Sequence, residues 1–330
     1  MADEKNYVKD PFEQMSFTFD RCFLCGKLLN EYNCTDEHIY PKWLLKKFDL
    51  WNKELILLNG TSIKYKNLII PCCKECNSVM GRNIEKPIGQ GVELGYNEFI
   101  KLNKTIIFHW LNKIAYGMLF KELSLKAQLS NPKSDTIYKE EHLKKHKMQY
   151  LFMSSIIYKT ALINNPWSIL IFRIDPCGEE KYWAHDNPFT KTFFIRMNDI
   201  GVISHLMDNG YNEGYFMEFD SMRELLSRTL HPIQFAELCA QFLYKSSLFY
   251  RDPFYTTLFD ENHNPKTIIS YPLSGDAFNE WNQEGYARCL SFFLKGWGLA
   301  FEDLYKGNDL VLTYLRNNDG TFKHLTMSRG

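Results

Sequence analysis

Six of the chain's nine cysteines lie at or before position 76, and four of them form two Cys-x2-Cys pairs, Cys22/Cys25 and Cys73/Cys76. A two-residue gap lets both sulfurs of a pair reach one ion, and two such pairs can close a tetrahedral zinc site. Cys72 adjoins Cys73 and offers an alternative sulfur, but its spacing to Cys76 is worse; Cys34 is expected to pack. The 47 residues between the pairs would be drawn together by the metal, which stabilises a segment too small to fold well alone. Inside that segment stands one histidine, His38, directly after Asp36 and Glu37, and two asparagines follow it, Asn67 before the second pair and Asn77 after it.

The runs Glu37-His38-Ile39-Tyr40-Pro41, Asn67-Leu68-Ile69-Ile70-Pro71-Cys72-Cys73 and Cys76-Asn77 resemble the HNH endonucleases, the ββα-metal or His-Me finger nucleases. The likeness covers roughly residues 20–88, and Asn77 in the last motif position makes it an HNN-like variant. It implies that neutral His38 acts as general base on an attacking water. It also implies that Glu37 and Asn77 hold Mg²⁺ or Mn²⁺ through oxygen, with Asp36 the alternative carboxylate, and that Asn67 orients the histidine. The four cysteines are then a structural zinc staple, kept out of the chemistry. Asn83 and Glu85 are weaker candidates beside the metal. Lys42, Lys46, Lys47, Lys64, Lys66, Lys74 and Arg82 surround the constellation and are candidates for phosphate contact.

Several elements must position these residues. Residues 42–50 have helical periodicity, and 54–58 and 62–70 read as strands joined by the hairpin signal Asn59-Gly60. A helix is expected from about Glu75. Pro87, Gly89, Gly91 and Gly95 mark a break that closes the finger. Ile100, Ile107, Trp110, Leu111, Ile114, Met118 and Leu119 then fall at spacings of three, four and seven, an amphipathic helix over 97–125. Pro132 interrupts, and 137–160 reads as another helix. From Trp167 onward 167–174, 191–197 and 201–206 read as strands, 221–228 and 231–251 as helices, and 276–305 as largely helical; His185-Asp186 is expected in a loop. Turns are expected at Asn264-Pro265 and Asn318-Asp319-Gly320. The expected class is α+β. A lead-in over 1–20 precedes a zinc-stapled ββα-metal finger over 21–90 and a larger mixed domain over 91–330, helical at 97–160 and mixed at 167–330.

With 330 residues, 45% hydrophobic and 24% charged, the chain is ordinary globular material. Residues 1–150 hold 23 Lys and Arg against 18 Asp and Glu, the remainder 16 against 21. A basic first part suits a nucleic-acid partner, with DNA the expected substrate, and an acidic remainder argues against a second sequence reader. The larger domain carries no P-loop, no Gly-x-Ser-x-Gly and no dinucleotide fingerprint. It is expected to target, to sense an activating ligand or partner, or to dimerise, since a symmetric homodimer would suit double-strand cuts. By analogy with free-standing nucleases of this kind, a bacterial defence or mobile-element role is expected. His109, His142 and His146 suggest no second site. A polar, acidic start, no membrane-length apolar run and clustered thiols place the protein in the reducing cytoplasm. The rival reading is a zinc-stabilised binding module for nucleic acid or protein, without catalysis, in which His38 is dispensable.

Overall fold

A computed structural model describes residues 17–325 apart from Leu129, Pro132, Cys177, Glu179 and Ser274. Most of the lead-in and the break at Pro132 therefore lie outside the described residues. The fold is mixed α+β, with several sheets and helices throughout. The chain divides into two compact units, and the division is not linear in sequence. The first unit holds residues up to 91 together with 102–164 and 255–270; the second holds 92–101, 165–254 and 271–330. The break expected near residue 91 is where the chain first leaves the first unit, but the two long helical stretches of 102–164 return to it.

In the first unit, strand β1 (Cys34–His38) pairs antiparallel with a strand from the far side of a long insertion, which is numbered β4 (Ile69–Cys73). The register sets Cys34 opposite Cys73 and His38 opposite Ile69. The insertion contains helix α1 (Lys42–Lys47) and the hairpin β2 (Glu54–Ile56)–β3 (Ser62–Lys64). Its turn falls at Asn59-Gly60, where Gly60 takes φ +79°, a conformation that costs glycine nothing. The strand expected over 62–70 is two pieces, because a 3₁₀ turn at Tyr65–Asn67 separates β3 from β4. Helix α2 (Lys74–Met80) follows β4 directly and packs against both β1 and β4. The result is two strands and one helix in ββα arrangement.

The glycines and proline expected to break the chain instead lie within helix. A π turn over Gly81–Glu85 runs into α3 (Lys86–Leu94). Pro87 follows closely on this π turn, so its missing N–H falls where the regular i→i−4 ladder is already interrupted. Gly89 lies so close to the indole of Trp43 that a Cβ would come within 3.3 Å of the ring, so this glycine serves packing. Only at Gly95, with φ +85°, does the helix end. There α4 (Tyr96–Phe99) begins.

Helix α5 (Lys104–Glu122) starts at Asn103, whose side chain accepts from the Thr105 N–H, 2.9 Å. It is buried on nearly every side, from Ile107 to Glu122, and not on one face as its sequence spacing suggests. Gly117 lets it approach the strands, since a Cβ there would meet Ile39 at 3.3 Å and Ile70 at 3.4 Å. Helices α6 (Glu140–Leu143) and α7 (Lys147–Tyr158) complete the helical part, and α7 packs against α5. Strand β5 (Ala161–Ile163) ends this stretch. It later becomes one edge of a three-stranded sheet.

The second unit is built on a five-stranded sheet. Its strands are β6 (Ser168–Ile174), β7 (Tyr182–Asn187), β8 (Thr192–Met197), β9 (Ile200–His205) and β10 (Thr229–Leu230), in the order β10-β6-β9-β8-β7. Only the β10–β6 pair is parallel. His185 and Asp186, expected in a loop, lie on β7 opposite Phe194 and Phe193, so their neighbours are ladder residues. Helices α8 (Tyr211–Met217) and α9 (Asp220–Leu225) precede β10, and α10 (Pro232–Ser247) follows it. At Gly201 a Cβ would collide with Phe235 of α10 at 2.5 Å, so glycine is what lets this helix lie on the sheet. Strands β11 (Phe254–Phe259) and β12 (Pro265–Tyr271) join β5 in the order β11-β12-β5 and so belong mostly to the first unit. Helices α11 (Gln283–Leu294) and α12 (Phe301–Leu304) end the helical part of the second unit, where α10 packs against α11. Among the described residues no helix is long and apolar enough to cross a membrane.

Candidate metal centre and candidate active site

The sulfurs of Cys22, Cys25, Cys73 and Cys76 all lie within 4.8 Å of one another. A tetrahedral zinc with Zn–S bonds of about 2.3 Å would space its sulfurs by roughly 3.8 Å, and Cys25 and Cys73 already stand 3.8 Å apart. The four cysteines can therefore hold a metal ion such as zinc.

Local backbone geometry builds each half of this cluster. Gly26, at φ +70°, closes the first knuckle by donating its N–H to the Cys22 carbonyl, 2.9 Å, and the Cys22 N–H returns to Lys27, 2.9 Å. In the second, the Cys73 sulfur caps α2 by accepting from the Cys76 N–H, 3.4 Å. The Phe23 N–H on the Pro71 carbonyl, 3.0 Å, ties one knuckle to the other. Hydrogen bonding among the clustered sulfurs lowers the Cys22 thiol and raises those of Cys25 and Cys76. Cys72 stays beside the cluster, its sulfur 3.9 Å from that of Cys22. Cys34, expected to pack, is exposed on β1.

His38 ends β1 with only 9% of its surface exposed, its ring stacked on Trp51 at a centroid distance of 5.8 Å. Burial lowers its pKa first, and the positive charges of Lys42 and Lys113 lower it further, so the imidazole is neutral near pH 7 and can accept a proton. Asn67 is exposed in the 3₁₀ turn that faces the end of β1, where the Ile39 N–H binds the Leu68 carbonyl, 2.9 Å. Asn77 is half-buried on α2. Among the described residues no hydrogen bond joins either asparagine to the His38 ring.

Glu37 departs most from expectation. Strand alternation sends it to the opposite face from Asp36 and His38. Its carboxylate is buried and forms an ion pair with Lys113 of α5, a residue 1% exposed. The same ammonium lies 2.8 Å from Glu85 Oε1 and donates to the backbone carbonyls of His38, 2.7 Å, and Ile39, 3.1 Å. Burial by itself would drive the lysine neutral, but the two carboxylates outweigh it and hold Lys113 charged. A Mg²⁺ or Mn²⁺ ligated by Glu37 does not fit this arrangement, because an ammonium already occupies the carboxylate. Glu85 belongs to the same cluster, whereas Asn83 is exposed. Asp36 is exposed on the strand face shared with His38.

Lys113 was missed in the sequence, where it leaves little signal. It falls three residues after Trp110, beside the apolar stripe of its helix and not on it. Once buried, such a lysine requires an acidic partner elsewhere in the chain.

Two of the other histidines are accounted for by neighbours. His109 meets the Ser155 hydroxyl at 2.8 Å, and burial lowers its pKa to about 4. His146 lies between Tyr138 and Gln149, at 2.8 and 3.0 Å, and shares no ligand site with His142. Trp43 packs on Trp110 with ring centroids 6.4 Å apart. Lys42, Lys46, Lys47, Lys64, Lys74 and Arg82 are exposed around the strand–helix unit, with Lys66 partly covered and bonded to Asn52, 2.9 Å. No family model, curated protein or solved structure matches the chain, so the functional reading rests on these residues.

Proposed function

We propose that the protein is an endonuclease of the HNH kind, in which a zinc-stapled ββα finger cuts a phosphodiester bond in nucleic acid, with DNA the expected substrate. The observation that carries this reading is the placement of His38 and the thiol cluster on one unit of β1, β4 and α2. Zinc bound by Cys22, Cys25, Cys73 and Cys76 would pin the start of α2 to the first knuckle. Neutral His38 takes the proton from a water attacking phosphorus. Asn67, in the turn opposite the end of β1, is the residue to steady the imidazole, and the exposed lysines around the finger draw in the phosphate backbone. No step is assigned to a divalent ion on Glu37. The second unit selects or senses the target in this reading.

The test is incubation of the purified protein with plasmid, single-stranded DNA and RNA, each with and without added Mg²⁺ or Mn²⁺ and with His38→Ala alongside. Cleavage by the wild type that the variant loses supports the reading. Equal cleavage by both removes His38 as the base. Binding of nucleic acid without any cleavage favours a zinc-stabilised binding module.

A further inference from the structure

Four oxygens converge on the Lys113 ammonium, one from each carboxylate of Glu37 and Glu85 and one from each carbonyl of His38 and Ile39. That donor set is the kind a hard cation takes, and the distances of 2.7, 2.8 and 3.1 Å to three of them need shorten only by a few tenths of an ångström to reach the Ca²⁺–oxygen range of about 2.3–2.6 Å. The charges point the same way. Two carboxylates against one ammonium leave a surplus negative charge, which a divalent ion in place of the ammonium would cancel. Burial correspondingly raises the pKa of Glu37, against the pull of Lys113.

We infer that Lys113 is a built-in cation occupying a divalent-type oxygen cage at the end of β1. Glu37 is therefore its internal counter-ion and not the ligand of a free metal ion, and removing the ammonium turns the cage into a site for Ca²⁺ or Mg²⁺. Through its bonds to the carbonyls of residues 38 and 39, Lys113 is also a positioning residue for the backbone that carries His38. This inference rests on the proposed nuclease reading only where it calls the positioned residue a catalytic base.

The experiment is thermal unfolding of the zinc-loaded full chain with and without Ca²⁺, an ion that thiols bind poorly. It compares wild type, Glu37→Gln, Lys113→Ala and the Lys113→Ala/Glu37→Gln double variant. Wild type and Glu37→Gln should respond to Ca²⁺ alike. Lys113→Ala should melt lower than wild type and regain several degrees on addition of Ca²⁺, and the double variant should lose that gain. A Ca²⁺ response in wild type that Glu37→Gln abolishes would overturn the inference, as would a folded Lys113→Ala that ignores the ion. Should Lys113→Ala fail to fold, Mn²⁺ soaked into wild-type crystals decides the matter. An anomalous peak at the Glu37 carboxylate contradicts the inference, and an undisturbed Lys113 in contact with that carboxylate supports it. None of these measurements reads cleavage, so an inactive wild type would defeat the proposed function and leave the cage standing.

Discussion

Cys22, Cys25, Cys73 and Cys76 gather four soft sulfurs from two knuckles, whereas Glu37, Glu85 and the carbonyls of His38 and Ile39 gather four hard oxygens around Lys113. Both clusters belong to the first unit, and β1 and β4 run between residues of each. The thiols are made by short turns in which two ligands stand three positions apart, so each half exists before the chain folds back. The oxygens come from a strand, a π turn and a helix at residue 113, and no two of the three side chains are near in sequence. One cage is made of ligands suited to a soft metal ion; the other has its cation supplied by the chain. The comparison teaches that a metal-type donor set does not by itself call for a metal.

The largest effect should follow from emptying the thiol cage. Structural zinc contributes about 10–16 kcal/mol of apparent folding energy in finger peptides near neutral pH. Zinc should therefore measure about one per chain and be lost in Cys73→Ser together with the ordered circular dichroism of the finger. If Cys72→Ser empties the site and Cys73→Ser does not, the fourth ligand is Cys72, whose sulfur lies 3.9 Å from that of Cys22.

Next in size is the oxygen cage. Lys113→Met strands two carboxylates, one of them buried, and breaking a buried pair costs about 3–5 kcal/mol. Urea unfolding should show that loss, and Lys113→Met/Glu37→Gln/Glu85→Gln should recover part of it. Equal stability of the single variant and the wild type would show that the ammonium is not held as described.

His38 separates chemistry from framework. His38→Ala should reduce cleavage by roughly 10²–10⁴-fold, while its melting temperature stays well above that of Lys113→Met. Because burial and then Lys42 and Lys113 lower the His38 pKa, wild-type activity should persist below the usual histidine range and fall only as acid protonates the ring. A pH–rate profile whose acidic limb sits above that range would contradict this.

The smallest effect is an acid background common to both cages. His109 has an ordinary pKa of 6.5 and, when folded, about 4. Between those values the unfolded chain takes a proton that the folded one refuses, so stability declines as pH falls through this window, by about 1.4 kcal/mol per pH unit. Replacing His109 with Gln should flatten that slope in urea titrations. The loss that survives the substitution belongs to His205, which burial also lowers to about 4, to the other histidines that burial lowers, and to proton competition for the thiols.

Much of the first unit was legible in sequence wherever the relevant physics is local. The two Cys-x2-Cys spacings, the turn at Asn59-Gly60 and the helix after Cys73 depend on a few consecutive residues, and each appears in the fold. Pro87, Gly89 and Gly91 misled for the same reason. The cost in a helix is about 1 kcal/mol for glycine and about 3 kcal/mol for proline. A Trp43 ring against Gly89 and a π turn just before Pro87, where the ladder is already interrupted, accommodate them. His185 was misplaced because the pairing that makes β7 is supplied by β8 and not by the residues around it.

By itself the sequence marked the four thiols as a set able to hold a soft metal ion, because that follows from ligand type and spacing along a short stretch. Only the tertiary structure decided what Glu37 does. Strand alternation turns it away from Asp36 and His38, and a lysine 76 positions later meets it in the interior. A buried charge must find its opposite, but which one it finds depends on how helices and strands pack, and that information is spread over the whole first unit.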